Sequence, residues 1–258
     1  MTFSISTRYS LLFGRMLRAL FCAAAVLMAQ TAHAEEPRLL WSYEAESNLY
    51  APPLVADVHE ASGLESIISD SEARVVRCIS ATGELLWTFD GGWSRRLTSR
   101  AALSYSAREG QGTLAICGSD GKLACLDAAS GTRLWDASPG GITWGAVLWT
   151  DLDGDQRDEL IAPTESNGIH AFNADGSERW VYRGEDEQHA VLVRGAMAAA
   201  DVNGDGRPEL FAANRWGVLQ LNADGTRGWE QFTGDDFNSS VTVADIDMDG
   251  RAEVFACS

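Results

Sequence analysis

The chain lacks most of what a helical, membrane-spanning or nucleic-acid-binding protein needs. Its 258 residues carry 20 Lys and Arg against 37 Asp and Glu, a formal net charge of −17. Such a surface repels phosphate backbones and anionic lipid, which argues against nucleic acid as a partner and is compatible with cation binding. Histidine is scarce. His59, His170 and His189 stand in no recognisable nucleophile motif, so no catalytic residue is assigned. Five cysteines occur without a Cys-x-x-Cys or His-rich spacing, which leaves zinc without a motif. Beyond residue 34 no apolar run is long enough to span a membrane. Nor is there a convincing helical period: apolar residues come in short runs broken by Gly, Asn and Asp.

What is present begins with an export signal over residues 1–34. Arg8, Arg15 and Arg18 precede the apolar stretch from Ala19 to Met28, and Ala32-His-Ala34 is a small-x-small cleavage site. Phe21 precedes Cys22 where lipid attachment wants a small residue, so simple cleavage is expected, with the protein periplasmic or secreted. Loss of three arginines and no acids takes the net charge to about −20. Residues 35–258 then suit one all-β repeat domain or part of a larger one. Cys78, Cys117, Cys125 and Cys257 remain. A two-residue Asp120-Gly121 turn would pair Cys117 with residue 124, one out of register for a bridge to Cys125. The expected role is that of small buried hydrophobes.

One acidic loop occurs three times, as Asp151-Leu-Asp153-Gly-Asp155-Gln-Arg157-Asp-Glu159, Asp201-Val-Asn203-Gly-Asp205-Gly-Arg207-Pro-Glu209 and Asp245-Ile-Asp247-Met-Asp249-Gly-Arg251-Ala-Glu253. The first aspartates are 50 and then 44 residues apart. Oxygen side chains at positions 1, 3, 5 and 9 of a tight loop suit a hard cation such as Ca²⁺. Several carboxylates in one short loop repel one another without a counter-ion. The alternative is a metal-free turn in which these side chains bond backbone amides. Gln156 replaces the glycine at position 6 in the first loop, and Asn203 removes one charge from the second.

A second signal is a glycine turn four residues before a tryptophan, at Gly83/Trp87, Gly131/Trp135, Gly176/Trp180 and Gly225/Trp229, with Trp41 as a fifth copy lacking its turn. The tryptophans are 46, 48, 45 and 49 residues apart. Each period holds four strand candidates. In the third unit these are Gly145–Thr150, Glu159–Pro163, Gly168–Asn173 and Ser177–Tyr182. Four-stranded units at this period describe a β-propeller, with the acidic loops between first and second strands and the tryptophans packed between blades. About five blades are visible. The closing one would join Ser240–Ala256 to Trp41 and lacks a third strand, so the ring closes imperfectly or the chain is truncated.

The stretches Ala200–Leu210 and Val243–Val254 resemble FG-GAP/VCBS-type propeller repeats, and the Gly-x-x-x-Trp turns are similar to PQQ-like propeller repeats. The first resemblance implies up to three structural calcium ions. The side chains named above would hold them, helped by the carbonyls of Arg157, Arg207 and Arg251. It also implies a ligand surface on the opposite face, where Trp93, Arg95, Arg96, Trp144, His189, Arg215, Trp216, Asp235 and Phe237 are expected. Aromatic and arginine side chains suit protein hot spots or sugar stacking. The expected function is a non-enzymatic module binding a protein or carbohydrate. The alternatives are a propeller enzyme, either a polysaccharide lyase or a quinone-dependent dehydrogenase, and a scaffold for envelope assembly.

Overall fold

Turn residues break the chain every few positions, and the pieces between them pair as antiparallel strands. The structure, a computed structural model, describes residues 39–45, 48–60, 63–108, 111–185, 190–234 and 237–257. The expected export signal over residues 1–34, His189 and Asp235 lie outside the described residues. Among those described there is no helix, hence none long and apolar enough to cross a membrane.

Four sheets have four strands each. The first is β1 (Leu54–Ala56), β2 (Glu65–Asp70), β3 (Val75–Ile79) and β4 (Leu85–Asp90). The second is β5 (Ala102–Arg108), β6 (Gln111–Cys117), β7 (Leu123–Asp127) and β8 (Arg133–Ala137). The third is β9 (Leu148–Thr150), β10 (Glu159–Pro163), β11 (Ile169–Phe172) and β12 (Glu178–Tyr182). The fourth is β13 (Ala198–Ala200), β14 (Glu209–Asn214), β15 (Gly217–Leu221) and β16 (Arg227–Phe232), and the fifth has only β17 (Thr242–Ala244) and β18 (Glu253–Phe255). In every sheet the strands pair in chain order, so each sheet is a meander closed by local contacts.

The cores lie between sheets. Ile67, Val76 and Cys78 of the first sheet meet Leu114, Ile116 and Leu126 of the second. Cys117 and Leu123 meet Leu160, Ala162 and Phe172 of the third, whose other face packs Ile161 and Ile169 on Leu210 and Leu219. Phe211 and Ala213 meet Val254 of the fifth sheet and Val241 just before it. Middle strands are therefore buried on both faces, as in β10 and β14, where every residue is buried. Each fully buried Leu, Ile or Phe contributes about 1.5–3 kcal/mol relative to exposure.

The tryptophans bolt one sheet to the next. Trp87 Nε1 donates to Ala128 O at 3.2 Å, Trp135 Nε1 to Ala174 O at 2.9 Å, and Trp180 Nε1 to Ala223 O at 3.1 Å. The rings pack against Gly131, Gly176 and Gly225, where an added Cβ would sit 2.6, 2.6 and 2.5 Å from ring carbons. These glycines also have φ of +68°, +89° and +82°, so both clearance and backbone conformation require them. Trp41 lies over Gly83 in the same way but belongs to no strand. A fourth strand needs a third to bond to, and the described residues of the fifth sheet provide none.

Cys117 pairs with Leu123 rather than residue 124, because the turn holds three residues, closed by Gly118 N–H donating to Lys122 O at 2.8 Å. Cys78, Cys117 and Cys125 are free and buried, and Cys257 is free and exposed. Burial pushes the thiols of Cys78 and Cys125 up to about 12 and that of Cys117 to about 11.

Candidate functional site

The three acidic loops follow β9, β13 and β17 and end on the first residues of β10, β14 and β18. All use one internal frame. The position 9 glutamate turns Oε2 back to the amide at position 2: Glu159 to Leu152 at 2.8 Å, Glu209 to Val202 at 2.9 Å, Glu253 to Ile246 at 3.0 Å. The position 1 aspartate accepts the position 6 amide at 2.8 Å in each loop. The position 5 aspartate accepts from Arg157, Arg207 or Arg251 N–H. Positions 4 and 6 have positive φ throughout. Gly154 and Gln156, Gly204 and Gly206, and Met248 and Gly250 fill them. Backbone donors, led by Gly206, hold the Asp201 carboxyl below the usual range. Burial pushes Glu159 up.

The loops differ in what remains at the centre. Oxygens of Asp151, Asp153 and Glu159 lie within 4.8 Å of one another, as do those of Asp245, Asp247 and Glu253. Oxygens sharing one Ca²⁺ at 2.3–2.6 Å are at most about 5 Å apart, so both sets fit the ion. The second loop fits less well. Asn203 uses Oδ1 to accept the Asp205 amide at 2.8 Å, and its Nδ2 points at Glu209 Oε1, 2.6 Å, and Asp205 Oδ2, 3.1 Å. A donor stands where a cation wants an acceptor.

Beside the first loop a cleft of about 690 Å³ is lined by Arg108, Trp135, Asp153, Asp155, Glu159 and Arg179 among others. Arg179 Nη2 donates to Asp153 Oδ2 at 2.8 Å and Nη1 to Asn173 Oδ1 at 3.2 Å. This holds the Asp153 carboxyl below its ordinary range. Sequence reasoning missed Arg179, which is 26 residues from Asp153. The first sheet keeps only part of the frame: Glu65 Oε2 accepts from Val58 and His59 N–H, at 3.0 and 3.2 Å. In the second sheet only two residues separate β5 from β6, too few for an acidic loop.

On the opposite loops the expected ligand residues divide. Trp93 is 4% exposed, with Nε1 donating to Lys122 O at 3.3 Å, and Phe237 lies in the core beside Phe211 and Val241. Their rings pack the fold and are not presented to a ligand. Arg95, Arg96, Trp144 and Arg215 are exposed and Trp216 half-buried. Trp144 Nε1 donates to Glu165 Oε2 at 2.7 Å, and Arg194 Nε to Glu165 Oε1 at 2.8 Å. The Trp144 bond first, then Arg194, draws the Glu165 carboxyl below the usual range. Arg194 also donates to Asn238 Oδ1 at 2.6 Å, linking connections of successive sheets.

The sheets and their tryptophan bolts define an all-β propeller. The chain belongs to the PQQ-like family described as outer membrane protein assembly factor BamB, which it matches over residues 30–138 and 71–258. That match supports the PQQ-like half of the resemblance and does not extend to the FG-GAP/VCBS half. No curated protein sequence matches. Among solved structures it is similar to the quinohemoprotein alcohol dehydrogenase of Comamonas testosteroni (20% identity, TM-score 0.61, 85% of this chain and 41% of that one). It is also similar to the V. cholerae biofilm matrix protein Bap1 (20%, 0.62, 84% and 37%) and to BamB of Moraxella catarrhalis (15%, 0.50, 86% and 62%). The chain thus spans less than two thirds of each of these relatives. At such identities the likeness carries the fold alone.

Proposed function

We propose that this chain is a non-enzymatic interaction module of the bacterial envelope that binds a protein partner and is stiffened by calcium in its acidic loops. The observation that supports it most is the face hydrogen-bonded through Trp144, Glu165 and Arg194, with Arg95, Arg96 and Arg215 exposed on the same set of loops. Preorganised arginine and tryptophan lose little entropy on docking, the profile of interface hot spots. Membership of a family described as an outer membrane assembly factor favours a protein over a carbohydrate and an exported location. A photo-crosslinking residue in place of Arg96 is expected to capture one envelope protein in living cells, and the same residue in place of Arg133, on β8, to capture none. Equal labelling from both positions would sink the reading. Release of unsaturated sugar, or a quinone absorbance in the purified protein, would point to the enzyme alternatives.

The candidate calcium ligands are Asp151, Asp153, Asp155 and Glu159 in the first loop and Asp245, Asp247, Asp249 and Glu253 in the third. Asp201, Asn203, Asp205 and Glu209 would form a weaker third site. The ion would neutralise carboxylates that the loop frame forces together and would serve structure only. At ten times the dissociation constant each filled site adds about 1.4 kcal/mol. For a domain of this size that raises Tm by roughly 3–6 °C per site. Thermal unfolding after chelation, then with calcium or magnesium restored, checks this. A rise with calcium alone is expected, and an unchanged Tm would leave the loops as metal-free turns.

A further inference from the structure

We propose that Arg179 is a tethered cation that takes calcium's place in the first acidic loop, so that the third loop binds the ion and the first does so only when Arg179 is removed. This rests on the calcium reading above and assigns unequal roles to loops that look equivalent in sequence.

The shared frame commits most loop oxygens to backbone amides. Besides the second carboxylate oxygen at position 5, the frame leaves two groups uncommitted, the second side-chain atom at position 3 and Oε1 of the glutamate at position 9. In the first loop these are Asp153 Oδ2 and Glu159 Oε1, and the Arg179 guanidinium lies 2.8 and 3.8 Å from them. In the second loop Asn203 Nδ2 occupies the same place. In the third, Asp247 and Glu253 accept only backbone amides, with no side-chain donor among the described residues. One frame therefore holds a guanidinium, an amide and neither.

The route by which Arg179 arrives is a β-bulge. In the third sheet Trp180 pairs with Ala171 and Glu178 with Phe172, so Arg179 is the extra residue between them. Every outer strand of the four-stranded sheets bulges at this point, and the extra residues elsewhere are Leu86, Leu134 and Gly228. A bulge re-aims the side chain it carries. Only in the third sheet is that side chain a cation, and Asn173 Oδ1, 3.2 Å from Nη1, steadies it over the loop. Calcium entering there must displace a charge-assisted bond and then share the cleft with a like charge.

Calorimetric titration of the full chain with calcium, after chelation, tests this. Wild type is expected to bind one ion tightly, lost in Asp247→Asn. Arg179→Gln is expected to gain a further ion at the first loop, at least tenfold tighter than wild type shows there, and Asp153→Asn in that background to remove it. Arg179→Leu, which places at this bulge the residue that the first two sheets carry, should behave alike and guards against misfolding of the glutamine variant. If wild type already fills the first loop as tightly as the third and neither Arg179 variant changes it, the proposal is overturned while the calcium reading stands. If no variant binds calcium at all, the calcium reading fails and takes this proposal with it.

Discussion

Arg77→Met is expected to cost about 3–5 kcal/mol of stability, the range for removing one partner of a buried ion pair. Arg77 on β3 bonds the Asp70 carboxylate at the end of β2, and the two side chains are 6% and 0% exposed. Neither can turn to water, so losing the guanidinium takes the opposite charge away from a buried carboxylate. The pair sits beside the β2–β3 turn, which is closed by Arg74 N–H donating to Asp70 O at 2.8 Å. Ser71, next in line, accepts Leu97 N–H at 3.1 Å and fixes the connection that presents Arg95 and Arg96. Urea unfolding of Arg77→Met, and of Asp70→Leu with Arg77→Met, separates the pair's net worth from the cost of half of it. The double variant is expected to recover most of the loss, since well-packed apolar replacements for a buried pair are often neutral. A single-variant cost below about 1 kcal/mol would mean that the pair is worth no more than an exposed one.

Trp180→Ala is expected to cost about 3–5 kcal/mol as well, the range for emptying a large aromatic site. Its ring fills the seat over Gly225, and the indole bond to Ala223 goes with it. Trp229 occupies the equivalent strand position in the fourth sheet but is 42% exposed. Trp229→Ala should therefore cost roughly half as much or less, in line with the smaller area withdrawn from water. Denaturant midpoints for the two variants provide the comparison. Equal losses would show that the indoles act within their own sheets and not as bolts to the next.

Much of this was legible in the chain, for reasons that are local. A Gly-x-x-x-Trp turn encodes a third and fourth strand because the glycine's backbone conformation and the tryptophan's place on the strand are fixed within a few residues. The acidic loops are legible in the same way, since their frame bonds no residue more than seven positions away. Arg179 was not, because the bulge that aims it and the loop it enters are joined only by the pairing of four strands. Comparing the residue before each tryptophan, Leu86, Leu134, Arg179 and Gly228, was the one available hint. Trp93 and Phe237 misled because an aromatic in a connection reads as exposed, whereas the former folds back over Gly91 and Gly118. The turn after Cys117 shifted its register because three residues, not two, close it.

Because every sheet is a meander of consecutive strands, each stretch of about 45 residues can collapse using only its own hairpins. Loop-closure entropy then stays low for a β protein, and ordering can begin in any unit and spread by docking against a neighbour. Its energetics are those of a one-dimensional array, a sum of unit and junction terms. A defect in one seat then weakens a single junction and leaves the others to zip together.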